Sequence, residues 1–187
     1  MTNAIDPSLH SIRIRPMQTV DIPRVVQIAG GLPGAPHWPP DTYIATLNPK
    51  SEPRRVALVA ETLEPAAPEP TAVEPAAMDS GPAQLGVIVG FVVASLVAGE
   101  AELESIAVAA DAQRRGSARH LLSHLIAALK ELHVNSVNLE VRASNDPALR
   151  LYRKHGFKET GRRPGYYADP VEDAVLMSLD LSQPGAG

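Results

Sequence analysis

Residues 103–132, LESIAVAADAQRRGSARHLLSHLIAALKEL, constrain the fold more than any other stretch, because they pass from a strand through a basic, glycine-containing turn into an amphipathic helix. From Ala118 onwards Leu121, Leu122, Leu125, Ile126, Leu129 and Leu132 fall on one helical stripe, and Arg119, Ser123, Lys130 and Glu131 take the other side. A helix of this kind packs by one face. At its start Gly116, Ser117 and Ala118 carry small side chains, which lets an anion approach the first free backbone N–H groups and the positive end of the helix dipole. Arg114, Arg115 and Arg119 add charge around that mouth. The stretch reads as a phosphate cradle, with a solvated basic turn as the alternative on spacing alone. Two well-known phosphate loops fit poorly: no Gly-Lys-Ser/Thr follows a glycine-rich run, and the three-glycine dinucleotide pattern is missing.

The remaining elements follow in chain order. Ser11 to Met17 alternates Ile12 and Ile14 with Arg13 and Arg15, a half-buried first strand ended by Pro16. Thr19 or Asp21 then caps a helix carrying Ile22, Val25, Val26 and Ile28, and Gly30-Gly31 stops it. Prolines around His37 and Trp38 make a stiff loop, and Pro40 with Asp41 starts a short helix through Leu47. Trp38 is either a hydrophobic plug under that loop or a wall of a substrate groove. Arg54 to Thr62, Leu85 to Leu96 and Ala101 to Ala109 read as three more strands, the last two joined by a turn at Gly99. In the last of them the two-residue period puts Glu102, Glu104, Ile106 and Val108 on one face, two carboxylates ahead of the cradle. Residues 63–84 are rich in Pro, Ala and Glu and predict a disordered or partly extended insertion between hairpin neighbours. Ser136 to Arg142 sets Val137, Leu139 and Val141 against Asn138, Glu140 and Arg142; the polar face implies an edge or a cleft reached by water. Asn145-Asp146-Pro147 starts a helix with Leu149, Leu151 and Tyr152, ended by Gly156. Phe157 to Arg162 and Ala174 to Leu181 finish as two strands joined by a Pro/Gly/Tyr loop, and residues 182–187 form a loose tail.

Composition narrows the function classes. At 187 residues the chain suits one domain spanning 1–187. Residues 85–98 come nearest to a membrane span, yet they are too few and contain Gly86 and Gly90. The N-terminus lacks a basic segment followed by an apolar core, so a cytoplasmic location is expected. Zero cysteine excludes a disulfide scaffold, thiolate metal sites and a cysteine nucleophile, and no metal site is expected. A net charge of −4 gives no general attraction to nucleic acid or anionic membrane and favours a cationic amine or basic polypeptide as substrate.

Gln113, Arg114, Arg115, Gly116, Ser117 and Ala118 match the pattern Gln/Arg-x-x-Gly-x-Gly/Ala, and with the preceding Ile106-Ala107-Val108 they resemble the coenzyme A loop of the GNAT N-acetyltransferases. The element order is also that of this family: strand, two helices, three strands, helix, strand, helix, two strands. The resemblance implies an α/β fold, a mixed twisted sheet of about seven strands flanked by about four helices. It also implies that the strand hydrogen-bonds the pantetheine arm of acetyl-CoA while the loop holds the pyrophosphate. The C-terminal third is similar to one branch, the bacterial ribosomal-protein-alanine N-acetyltransferases acting on small-subunit protein S18. The residues that carry this are Leu139-Glu140-Val141-Arg142-Ala143-Ser144-Asn145, Ala148, Leu151-Tyr152, Gly156-Phe157, Arg162-Arg163, Tyr166-Tyr167 and Glu172-Asp173-Ala174, with Trp38 in its proline-bearing loop. Ser117-Ala118 replaces the more usual apolar residue plus glycine, the 63–84 insertion is outside the branch pattern, and the Arg163-Pro164-Gly165-Tyr166 spacing is looser.

By that resemblance Glu140 is the general base, Tyr152 the general acid, and Asn145 and Tyr152 contact the cofactor arm. The chemistry needs such groups, since an α-amine with a pKa near ~8 must lose a proton before it attacks, and a departing thiolate must gain one. A backbone N–H near Ile106 or Val108 is placed to polarise the thioester oxygen. Transfer is then direct, without an acyl-enzyme. Glu102 and Glu104 are rival bases, since other branches use that strand. Tyr166 and Tyr167 form a lid over a peptide or pack the last hairpin. The expected acceptor is a protein N-terminal alanine as in S18; the alternatives are a small amine such as a polyamine, amino acid or aminoglycoside, or a non-catalytic acyl-CoA-binding module. A monomer or weak homodimer is expected.

Overall fold

The computed structural model of the protein describes residues 11–32, 38–63 and 86–182. Seven strands form one sheet in the order β1-β2-β3-β4-β5-β7-β6. They are β1 (Ser11–Pro16), β2 (Arg54–Leu63), β3 (Val87–Val97), β4 (Glu100–Val108), β5 (Ser136–Arg142), β6 (Lys158–Ala168) and β7 (Val171–Asp180). The helices are α1 (Ile22–Gly30), α2 (Pro40–Thr46), α3 (Ser117–Glu131) and α4 (Asp146–Lys154). Every strand pair is antiparallel except β4 with β5. The expected element order and the GNAT architecture are both present.

The core forms around β3, which is buried along most of its length because helices cover both of its faces. Alternation sends Phe91 towards α2, where Tyr43 meets its ring edge-on at 5.8 Å. Gly90 points the other way: a Cβ there would stand 3.2 Å from Leu121 Cδ1 of α3 and 2.8 Å from the Ala107 carbonyl oxygen, so this crossing needs glycine. The apolar stripe of α3 supplies Leu121, Leu122, Leu125 and Leu129, all fully buried. The end of α4 lies beside α3, with Ser123 Oγ and His155 Nε2 3.2 Å apart. Thus α3 and α4 share one face of the sheet, and α1 and α2 cover only the β2–β4 half of the other.

Three expectations change. Asp21 occupies the N-cap position of α1 without making a cap hydrogen bond. Its carboxylate is held instead by Arg15 at 2.7 and 2.9 Å and by the Gln18 N–H at 2.8 Å. The loop expected after Arg162 is largely strand, because β6 continues to Ala168 and turns only at Asp169-Pro170. A wide bulge permits this: Arg163 pairs with Ala174 and Tyr167 with Glu172, leaving Pro164, Gly165 and Tyr166 opposite Asp173 alone. Gly165 takes φ +60° there and donates its N–H to Asp173 Oδ1 at 2.9 Å.

The third change is in β4. Val93 pairs with Ser105 but Ala94 with Leu103, so Glu104 is an extra residue with no partner. This bulge shifts the two-residue period by one. Glu102 therefore shares its face with Ser105 and Ala107, whereas Ile106 and Val108 point to the α3 side. The 63–84 insertion, residues 1–10, His37 and residues 183–187 lie outside the described residues, apart from Leu63 at the end of β2. Among the described residues no helix is long and apolar enough to cross a membrane, and no group of three metal-ligating side chains occurs.

Candidate active site

The site begins where the sheet opens. β4 and β5 pair only from Glu100–Glu102 to Ser136–Asn138, and beyond that they part. From Leu103 to Val108 the β5-facing edge of β4 thus carries backbone groups with no strand partner, whereas Ile106, Ala107 and Val108 pair on their other side with Val92, Phe91 and Gly90. Such an edge can take a ligand carrying its own amides.

At the end of β4 the chain enters the cradle. Gln113 Nε2 donates to the Val108 carbonyl at 3.1 Å and so ties the loop to the strand it leaves. Arg114 and Gly116 both adopt left-handed backbone, φ 62° and 89°, which turns the chain sharply into α3. The first N–H with a helical partner is that of His120, bonded to the Gly116 carbonyl at 3.0 Å. Ser117, Ala118 and Arg119 therefore present N–H groups that have no acceptor among the described residues. The side chains of Arg114, Arg115 and Arg119 are exposed and join no ion pair among the described residues. Three converging N–H groups, a dipole end and three guanidinium groups are donors suited to a pyrophosphate.

Asn145 caps α4, its Oδ1 accepting the Ala148 N–H at 3.2 Å, so its amide Nδ2 is the part left for a ligand. Tyr152 lies on α4, on the α3 side of the sheet, 6% exposed, with its ring 5.6 Å from that of Phe157. Burial, with the nearby Tyr167 phenol, pushes its hydroxyl far above the ordinary tyrosine value, and it stays protonated across the physiological range.

The half of the sheet that α1 and α2 leave bare carries a groove of about 520 Å³. Glu100, Glu102, Asn138, Glu140, Thr160 and Arg163 supply its polar lining. Glu102 is exposed and takes part in no ion pair among the described residues. Glu140 is bound by Arg163, Nη1 to Oε1, at 2.7 Å. Hydrogen bonding to that carboxylate, and its charge, raise the phenol of the half-exposed Tyr166. Glu104 is differently placed: Arg55 grips both of its oxygens at 2.8 and 3.0 Å in a part-buried pair. Tyr167 packs under the Arg142 guanidinium, 4.0 Å from ring centroid to Cζ, and Arg142 also binds Glu172 at 3.4 Å. Trp38 rests on Tyr43, with ring centroids 5.3 Å apart.

Of the residues singled out from sequence, the structure gathers Gln113, Arg114, Arg115, Gly116, Ser117 and Ala118 in the cradle and places Glu140 in the groove, with Tyr166 beside that carboxylate. Tyr152 and Asn145 lie on and at the start of α4, and Trp38 lies against the core. Sequence reasoning missed the pairing of Arg163 with Glu140 and of Arg55 with Glu104. Each joins residues on different strands, and only the sheet register brings them together. It also missed Ser105, 5% exposed on the face of Glu102, whose Oγ has no hydrogen-bond partner among the described residues.

A fold with an opened parallel pair, a β4 edge leading into a phosphate cradle and a carboxylate-lined groove defines an acyl-CoA-type transferase. Residues 36–157 match the family model of the acetyltransferase (GNAT) family, and the chain belongs to that family as a GNAT N-acetyltransferase. Members of the family use acetyl-CoA. Over 101 residues the chain is 45% identical to the [ribosomal protein bS18]-alanine N-acetyltransferase of Escherichia coli K12, covering 53% of this chain and 68% of that protein. The crystal structure of the ribosomal-protein-S18-alanine N-acetyltransferase from Escherichia coli superposes with a TM-score of 0.70 at 30% identity, covering 95% of this chain and 98% of that one. Arabidopsis thaliana NAA60 in complex with acetyl-CoA shares the fold, with a TM-score of 0.72 at 20% identity over 91% of this chain and 100% of that one.

Proposed function

We propose that this chain transfers the acetyl group of acetyl-CoA directly to the α-amine of a protein N-terminus, with an N-terminal alanine like that of ribosomal protein S18 as the favoured acceptor. The observation that carries this reading is the open groove with the carboxylates of Glu100, Glu102 and Glu140 beside the parting of β4 and β5. An open acidic groove suits a cationic chain end, whereas a small free amine is better served by a closed pocket. The similarity to the Escherichia coli alanine N-acetyltransferase supports the same acceptor.

Bound acetyl-CoA would supply an activated thioester. The residues of this chain would then do the rest. The free edge at Ile106, Ala107 and Val108 aligns the pantetheine arm through backbone hydrogen bonds, and the N–H groups of Ser117, Ala118 and Arg119 with the loop arginines hold the pyrophosphate. Glu140 accepts the proton of the incoming ammonium, directly or through water. Tyr152 keeps its proton on the phenolic oxygen until the sulfur leaves. We further propose that the chain works as one domain in the cytoplasm, as a monomer or weak homodimer.

Mass spectrometry tests the acceptor. With acetyl-CoA, an S18 N-terminal peptide and a panel of small amines in parallel, the expected product is one acetyl group on the peptide α-amine. Acetylation of the small amines alone would retain the cofactor and discard the peptide, and no transfer to any acceptor would favour a non-catalytic acyl-CoA-binding module.

A further inference from the structure

Resting on the reading of Glu140 as the base, we propose that Arg163 is an internal stand-in for the acceptor's ammonium: it occupies Glu140 while the groove is empty and yields that carboxylate to the incoming amine. Arg163 is thereby a positioning residue that sets acceptor affinity.

The geometry places both partners in the groove itself. Arg163 stands on β6 opposite Ala174, and Ala174 is the residue of β7 that pairs with Arg142 two positions beyond Glu140. Register therefore aims the Arg163 and Glu140 side chains at the same face, and their contact closes at 2.7 Å. A cation in this position brings the positive charge and the N–H donor that an α-ammonium would bring to the same carboxylate oxygen.

The contact is also built to be given up. The Arg163 side chain is 54% exposed, and ion pairs in that setting contribute from nothing to about fivefold in an equilibrium. Arg55 on Glu104 shows the contrast, because that guanidinium grips both oxygens with both partners mostly buried. Arg163 also has somewhere to go. Its guanidinium carbon already lies 5.5 Å from the Tyr166 ring centroid, within reach of a cation–π contact. Tyr166 belongs to the wide bulge of β6, an edge strand with a partner on one side only. When an ammonium reaches Glu140, the displaced guanidinium can remain over that ring.

The consequence is a competition inside the site. Removing the internal cation should make the acceptor bind more tightly, the opposite of what deleting a substrate-contacting residue does. The test is steady-state kinetics with saturating acetyl-CoA and an S18 N-terminal peptide, at low and at moderate ionic strength, on Arg163→Ala, Arg163→Gln, Arg163→Lys and Glu140→Gln. The expected result is a two- to fivefold fall in acceptor KM for Arg163→Ala and Arg163→Gln, shrinking as salt screens the pair, with Arg163→Lys close to the parent. A rise in KM would make Arg163 an acceptor contact and overturn the proposal, and so would an unchanged KM. Glu140→Gln separates the two layers of argument. If it keeps full turnover, the base assignment fails and the competition fails with it; if its turnover collapses while the Arg163 variants keep the parent KM, only the stand-in is wrong.

Discussion

At the scale of single side chains, Tyr152 and Glu140 sit in opposite surroundings. Tyr152 is enclosed between α4 and Phe157, and the burial that raises its phenol keeps a proton on the oxygen at neutral pH. Glu140 lines an open groove, where an amine can reach it. A donor that holds its proton and an acceptor open to an amine suit the acid and base roles proposed for these two residues. Tyr152→Phe keeps the ring packing and removes only the hydroxyl. Turnover should fall by about 10²-fold with little change in cofactor affinity or melting temperature. Rapid-mix kinetics and calorimetric titration with coenzyme A would check both; unaltered turnover would remove Tyr152 as the acid. For Glu104 the bidentate Arg55 contact ties the carboxylate into the structure, leaving Glu102 as the strand's open rival to Glu140.

At the scale of elements, β1 is an edge strand fixed by charge as well as by its ladder. Glu61 of β2, 1% exposed, receives Arg13 at 2.7 Å, Arg15 at 3.3 Å and the Gly86 N–H at 2.9 Å, and Arg15 reaches on to Asp21 ahead of α1. Burial disfavours the charged form of both carboxylates, but hydrogen bonds and charge from Arg13 and Arg15 at Glu61, and from Arg15 and the Gln18 N–H at Asp21, outweigh it and hold both below their ordinary values. Groups with lowered folded values stabilise above their unfolded pKa, about 4, and lose that contribution as pH falls through the folded value. Urea unfolding between about pH 6 and pH 2 should show stability falling with acid, with a shallower slope in Glu61→Gln; equal slopes would remove the cluster from the acid response. These contacts also mark how far the sequence could be read. The alternation of Ser136 to Arg142 gave β5 its observed bounds, and the stripe of α3 gave its buried leucines, because both signals are local. The β4 bulge was not legible: one extra residue leaves no compositional trace, yet it turns Ile106 away from Glu102. The β6 bulge hid in the same way behind Pro164 and Gly165, residues that ordinarily announce a loop. Pairs such as Arg163 with Glu140 depend on the register of β5 and β6 across β7, which the sheet inserts between them.

At the scale of the molecule, the parting of β4 and β5 divides the labour between the two faces of the sheet and one of its ends. The cradle opens at the C-terminal end of β4, while the groove lies on the face that α1 and α2 leave uncovered. The 63–84 tract is attached at the cradle end, because Thr62 pairs with Val87 and the Val89 carbonyl accepts the Ala109 N–H at 2.8 Å as the chain leaves β4. Coenzyme A affinity is therefore the readout most exposed to that tract. Residues 64–85 contain Glu64, Glu69, Glu74 and Asp79 and no lysine or arginine, so they bring no positive charge to a phosphate ligand. They also offer little apolar surface whose burial could stabilise the sheet. Since Glu61 and Ile88 already pair across the hairpin, a short glycine-containing turn can close β2 onto β3 in place of the tract. The shortened chain should melt within about 2 °C of the parent and bind coenzyme A with equal or slightly higher affinity, the latter because the deletion removes four negative charges and no positive one from a chain that must bind an anion. Scanning calorimetry and titration would decide it: a melting temperature lowered by about 5 °C or more would show that the tract is part of the packed structure, and a weakened coenzyme A affinity would show that it contributes to the cradle despite its charge.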